Sequence, residues 1–155
     1  MIKKILSGKT CAECRMCCIF DRYDIWETPL FDEETKNKVL VFNPNAVFVK
    51  VGDKYMLNAG ELADEDLFSC PALTENGCIL GDEKPFDCRI WPFRIMEKDG
   101  KRVIAVSTLC EEVHGQNHDN LREFLESGLA EKIFAYADEN PEAVKPYYDN
   151  YTMIF

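Results

Sequence analysis

The chain has 155 residues, 46% of them hydrophobic, enough to build one domain around its own core and too apolar for global disorder. A formal net charge of −10, from 28 acidic against 18 basic residues, repels phosphate backbones and anionic lipid and argues against nucleic acid and membrane surfaces as partners. No run approaches the roughly 20 apolar residues of a membrane span, and the opening Met1 to Gly8 lacks the apolar stretch of a signal peptide.

In chain order, the first feature is the run Cys11-Ala12-Glu13-Cys14-Arg15-Met16-Cys17-Cys18. As a loop, Cys11, Cys14 and Cys17 repeat the C-x2-C-x2-C spacing that folds three thiolates around one cubane. As a helix, Cys11, Cys14 and Cys18 would share a face, with Cys17 turned about 100° away. In both cases Cys17 and Cys18 are expected to serve different roles, two centres or one centre and the core. Asp32 is expected to cap a helix from Glu33 to about Leu40, with acids at its start and lysines near its end. Asn43-Pro44-Asn45 breaks the chain. Two hairpins follow: Val47 to Val51 with Lys54 to Leu57 around Gly52-Asp53, and Arg89 to Met96 with Arg102 to Thr108 around Asp99-Gly100. Pro92 puts the second hairpin's first strand on an edge, or delays its start until after the proline. Glu61 to Asp66 reads as one helical turn. Asn120 and Glu123 fit a capping box, and Ser127 caps a second helix through Ala137. Pro141 and Pro146 limit the tail to short helical pieces, in which Tyr147, Tyr148 and Tyr151 are packing residues.

These elements predict a single α+β domain over residues 1–155. It has a small antiparallel sheet of hairpins, short surrounding helices and a helical part from 119 to 155. The cysteine run is expected to fold against the 70–110 block.

Cys70, Cys78, Cys88 and Cys110 complete a set of eight cysteines. Thiolates are soft, polarisable donors suited to zinc and iron, and eight could supply two four-ligand sites, or one site with structural or reactive remainders. The downstream four lack the paired C-x2-C knuckles of zinc ribbons, and the cysteine density is too low for a small disulfide scaffold. The expected compartment is therefore the reducing cytoplasm. His114 and His118 are further candidate ligands, able to complete a site if one cysteine is not used. Arg89 could stabilise cluster charge, or pair with a carboxylate from a strand position. Asp87 reads as an acceptor supporting a ligand or as a turn residue. Glu33-Glu34 and Glu111-Glu112 read as solvated faces. No motif for hydrolysis, phosphoryl transfer or dinucleotide binding is present.

The run Cys11-x2-Cys14-x2-Cys17-Cys18 resembles the namesake motif of the CxxCxxCC cysteine-cluster family, described as a zinc- or iron-chelating domain. The downstream blocks Cys70-Pro71-Ala72-Leu73, Gly77-Cys78-Ile79-Leu80 and Lys84-Pro85-Phe86-Asp87-Cys88-Arg89-Ile90-Trp91-Pro92-Phe93 are similar to the family's second half. Lys84 stands where members carry arginine, Trp91 where they carry phenylalanine, and Arg15 where a glycine is common. Cys110-Glu111-Glu112 replaces the usual Cys-Pro-Gly. The resemblance covers about residues 11–110. It implies that Cys11, Cys14, Cys17, Cys18, Cys70, Cys78, Cys88 and Cys110 bind metal or an iron–sulfur cluster, since members are often described as predicted iron–sulfur oxidoreductases.

The leading expectation is thus an iron–sulfur protein, of [4Fe–4S] type, in electron transfer or redox sensing with a redox or protein partner. The alternatives are a zinc-binding structural or interaction module and a small oxidoreductase.

Overall fold

The computed structural model describes residues 1–58 and 67–155; the expected helical turn at Glu61 to Asp66 lies outside them. The protein is mixed α+β, with short helices and several small sheets. Among the described residues no helix is long and apolar enough to cross a membrane. Two compact parts are distinguished, Ser7–Arg89, and Met1–Leu6 together with Ile90–Phe155.

In the first part, α1 (Gly8–Cys14) starts at Ser7, whose hydroxyl accepts the Thr10 N–H at 3.0 Å. It ends at Arg15, in the left-handed region at φ 55°, and one 3-10 turn follows over Met16–Cys18. The cysteine run is therefore neither a continuous helix nor an open loop, and the shared face expected of Cys11, Cys14 and Cys18 is broken at Arg15. β1 (Ile19–Phe20) and β2 (Leu30–Phe31) are two-residue strands.

Next, α2 (Glu33–Phe42) begins at Asp32 as expected: its carboxylate accepts the Thr35 N–H at 2.8 Å and hydroxyl at 2.7 Å. Burial works against the charged Asp32, but these bonds bring its pKa below the ordinary value. The helix runs past Leu40, so Lys36 and Lys38 are not at its end; they bond Glu33 at 2.7 Å and Glu34 at 2.8 Å. Side-chain pairing one turn apart, rather than the helix dipole, accounts for them.

The first hairpin forms as expected, from β3 (Val47–Val51) and β4 (Lys54–Asn58), with Gly52 supplying the positive φ of a two-residue turn. β2 pairs with the other side of β4. Phe31, Val39, Leu57, Ala72 and Leu80 form a buried cluster here. Three short strands follow, β5 (Phe68–Ser69), β6 (Leu73–Thr74) and β7 (Gly77–Cys78), and then α3 (Phe86–Ile90).

The second part is built on β8 (Phe93–Lys98) and β9 (Lys101–Ser107), joined by Asp99 and Gly100, both at positive φ. β8 starts after Pro92; Arg89 and Ile90 close α3 instead of extending the strand. α4 (Glu111–His114), α5 (His118–Phe124) and α6 (Ala130–Glu139) follow. The cap of α5 is Asn117 rather than Asn120: its side chain accepts the Asp119 and Asn120 N–H groups at 2.8 and 3.2 Å. Ser127 caps nothing. Its hydroxyl donates to the Phe124 carbonyl inside a wide turn over Leu125–Leu129, where Gly128 has φ 115°.

The tail departs most from expectation. After one 3-10 turn at Pro141–Ala143, β10 (Lys145–Pro146) pairs parallel to β8 and β11 (Tyr151–Met153) pairs antiparallel to β9, in the order β10-β8-β9-β11. Pro146 is tolerated because an edge strand needs no outward N–H. Tyr151 is buried and Tyr147 packs under the Lys98 ammonium, 3.9 Å from its ring centre, whereas Tyr148 is exposed.

Candidate metal centre

None of the eight cysteines forms a disulfide. Cys11, Cys14, Cys17, Cys18, Cys70, Cys78 and Cys88 belong to the first part, and Cys110, at the start of α4, to the second.

Short backbone pairings draw four of them together. β1 pairs antiparallel with β5, so the chain leaving the cysteine run lies beside the chain approaching Cys70. The Cys70 N–H donates to the Cys18 carbonyl at 2.7 Å. Leu73 N–H returns to the Cys70 carbonyl and Ile79 N–H to that of Ala72, each at 2.9 Å, and β6 pairs with β7 through Leu73 and Cys78. Cys70 and Cys78 both pack on the Phe31–Val39–Leu57–Ala72–Leu80 cluster.

The Cys17 and Cys18 sulfurs lie 3.9 Å apart. Bonds of about 2.3 Å at the tetrahedral angle place two sulfurs on one zinc about 3.8 Å apart. The adjacent thiols are thus spaced as two ligands of one ion would be.

Electrostatics couple the same residues. The Cys17 thiol is held well above its ordinary pKa by its bond with Cys18, then by loss of surrounding water and repulsion from Cys18; Lys84 pulls the other way. Burial pushes Cys70 up to about 11, against a bond from the Ala72 backbone; Cys78 and Cys17 raise it further and Lys84 lowers it. Burial, then the Cys70 charge, pushes Tyr23 up to about 12, and its hydroxyl donates to the Ser69 carbonyl at 3.2 Å. The Cys17–Cys18 bond and burial keep these clustered thiols protonated, and repulsion between neighbouring thiolates adds to both. A thiophilic cation displaces such protons, so binding releases protons and weakens as pH falls.

Donor chemistry and the spacing of one pair fit a metal. Among the described residues, however, no three His, Cys, Asp or Glu side chains are already set around one ion. Cys17, Cys18, Cys70 and Cys78 are the thiols that the backbone pairings and mutual electrostatics bring near one another. Cys11 and Cys14 lie on α1 and Cys88 on α3.

Of the remaining candidates, Asp87 is a buried anchor whose carboxylate accepts the Leu30 N–H at 2.9 Å and ties α3 to β2. Arg89 lies in α3, its guanidinium 5.7 Å from the Phe86 ring centre. His114 Nε2 is 3.1 Å from the Thr152 hydroxyl, and its ring centre is 6.2 Å from that of His118. Glu33 and Glu34 bind lysines, and Glu111 and Glu112 are exposed. Sequence reasoning missed Tyr23 and the positions of Lys84 and Arg15. Nothing in an isolated tyrosine or lysine marks it as facing a thiol; Tyr23 reaches the Ser69 carbonyl beside Cys70 through a contact 46 positions apart in the chain.

The raised pKa values give a pH dependence for the metal-free protein. Cys70 rises from 9.0 to about 11 and Tyr23 from 10.0 to about 12. The folded state keeps protons that the unfolded chain releases, so the stability these protonated groups contribute is complete below about pH 9 and is lost as pH climbs through about 11 to 12. Urea midpoints measured across that range should fall steadily; a flat profile would show that these groups titrate alike in both states.

No protein-family model, no curated protein and no solved structure matches this chain.

Proposed function

We propose that this chain is a thiolate-ligated metalloprotein that carries an iron–sulfur cluster and works in electron transfer or redox sensing in a reducing compartment. The supporting observation is the gathering of Cys17 and Cys18 with Cys70 and Cys78 near the Lys84 ammonium. Four cysteines are the usual complement of a two-iron or four-iron cluster, and a neighbouring cation offsets cluster charge. The motif's resemblance to the CxxCxxCC family supports the same reading. When bound, a cluster supplies one-electron exchange. The chain's own part is to hold the thiols on a buried apolar base. Four thiolates shared by two irons give two to each, whereas four irons take one each; the 3.9 Å pair therefore favours the two-iron form over the four-iron one.

The same spacing favours a second reading, a closed zinc site that stabilises the fold or presents a protein-binding surface. Purification without oxygen, followed by iron, acid-labile sulfide and zinc analysis with a visible spectrum, separates the two. Iron with sulfide, lost on Cys70→Ser, is expected; colourless protein with zinc points to the second reading, and neither metal overturns both. Comparable metal loss in Cys17→Ser and Cys18→Ser is the expected signature of a shared ion.

A further inference from the structure

We propose that Arg15 is a positioning residue: its side chain latches the turn bearing Cys17 and Cys18 onto the β6–β7 hairpin, and so sets the cysteine run in register with Cys70 and Cys78. The inference rests on the metal-centre reading above.

Two independent observations meet at this residue. Its backbone lies in the left-handed region, φ 55° and ψ 4°, where a Cβ crowds the following carbonyl and glycine is the unstrained choice. Its guanidinium donates to the Glu75 carbonyl at 2.7 Å, a contact across sixty positions of chain. The acceptor is itself fixed. Glu75 lies at the hairpin tip between Thr74 and Gly77, where the Thr74 hydroxyl donates to the Gly77 carbonyl at 2.8 Å and accepts the Asn76 N–H at 3.1 Å.

The backbone of Arg15 also joins the two cysteine-bearing turns. Its N–H closes α1 on the Cys11 carbonyl at 3.0 Å, and its carbonyl accepts the Cys18 N–H at 2.8 Å. The turn holding Cys17 and Cys18 is thus tied to the downstream chain on one side by the β1–β5 ladder and the Cys70 N–H to Cys18 O bond that continues it, and away from that ladder by Arg15 to Glu75. The second tie restrains rotation of the turn about the ladder, which is what a set of ligands sharing an ion needs. A glycine at this position would relax the backbone and lose the second tie. Stability and metal affinity should therefore part company.

The test compares wild type, Arg15→Gly and Arg15→Lys. Arg15→Gly should leave the urea midpoint of the metal-free protein unchanged or higher, yet weaken Co2+ binding, followed by thiolate charge-transfer absorption, about tenfold or more. Arg15→Lys, which keeps a cationic donor, should fall between the two. A metal-independent readout accompanies this. Diamide removes two electrons and two protons from a thiol pair, reducing its own azo bond, and peptide mapping counts disulfides joining Cys17 or Cys18 to Cys70 or Cys78. Their yield should drop in Arg15→Gly. Unchanged Co2+ affinity and disulfide yield in Arg15→Gly would overturn the latch, as would losses matched by an equal fall in urea midpoint. If wild type takes up neither Co2+ nor, on anaerobic reconstitution, iron with sulfide, while the disulfide pattern still depends on Arg15, the latch stands and the metal reading fails.

Discussion

Replacing Phe31 with alanine should destabilise the metal-free protein by about 3–5 kcal/mol, the range for truncating a buried aromatic without full collapse of the cavity. Phe31 is 1% exposed and meets Phe48 edge-on, with ring centres 5.2 Å apart. It shares its cluster with Val39, Leu57, Ala72 and Leu80, and Cys70 and Cys78 rest against that cluster. Small domains hold only about 5–15 kcal/mol in total, so this loss is a large fraction of what keeps the thiols in place. Urea denaturation measures it. A loss below about 1 kcal/mol would mean that the neighbours close over the gap. Phe31→Leu, which keeps most of the volume, should lose much less.

Asp87→Ala should cost about 2–3 kcal/mol for a different reason. The Leu30 N–H is buried on β2 and bonds the Asp87 carboxylate at 2.9 Å. Removing a charged acceptor forfeits a bond stronger than the neutral average and leaves a buried donor unmet. Asp87→Asn keeps an acceptor oxygen and should recover a good part of the loss. If alanine and asparagine were equally destabilised, the Leu30 bond would not be the source. The effect bears on the candidate centre because Asp87 directly precedes Cys88 in α3.

Features set by neighbours in sequence were legible without coordinates. Asp32 as a cap, Gly52 at a tight turn and Asp99-Gly100 at a hairpin each follow from the conformational preferences of one or two residues. Asn117 and Asn120 show the limit of such reasoning. Both are good caps, and the structure uses the earlier one, starting α5 at His118 so that Leu121 and Leu125 turn into the buried interior. The tail strands were illegible because Lys145-Pro146 and Tyr151 to Met153 are extended only through pairing with strands some fifty residues earlier. The candidate centre divides in the same way. Its donors were evident as residue types, but the gathering of Cys17, Cys18, Cys70 and Cys78 depends on two-residue strands too short to carry a periodic signal. The residue type of Arg15 argues against the left-handed backbone it adopts.

The order β10-β8-β9-β11 has a consequence for how this protein matures. The β8–β9 hairpin is local and forms quickly, but both of its outer margins carry unpaired peptide groups, and its strands are rich in buried apolar side chains. Until residues 145–153 are laid along those margins, the hairpin is a template on which another copy can add a strand. The two short tail strands therefore act as guards against self-association, and a nascent or clipped chain lacking them is the form most exposed to aggregation.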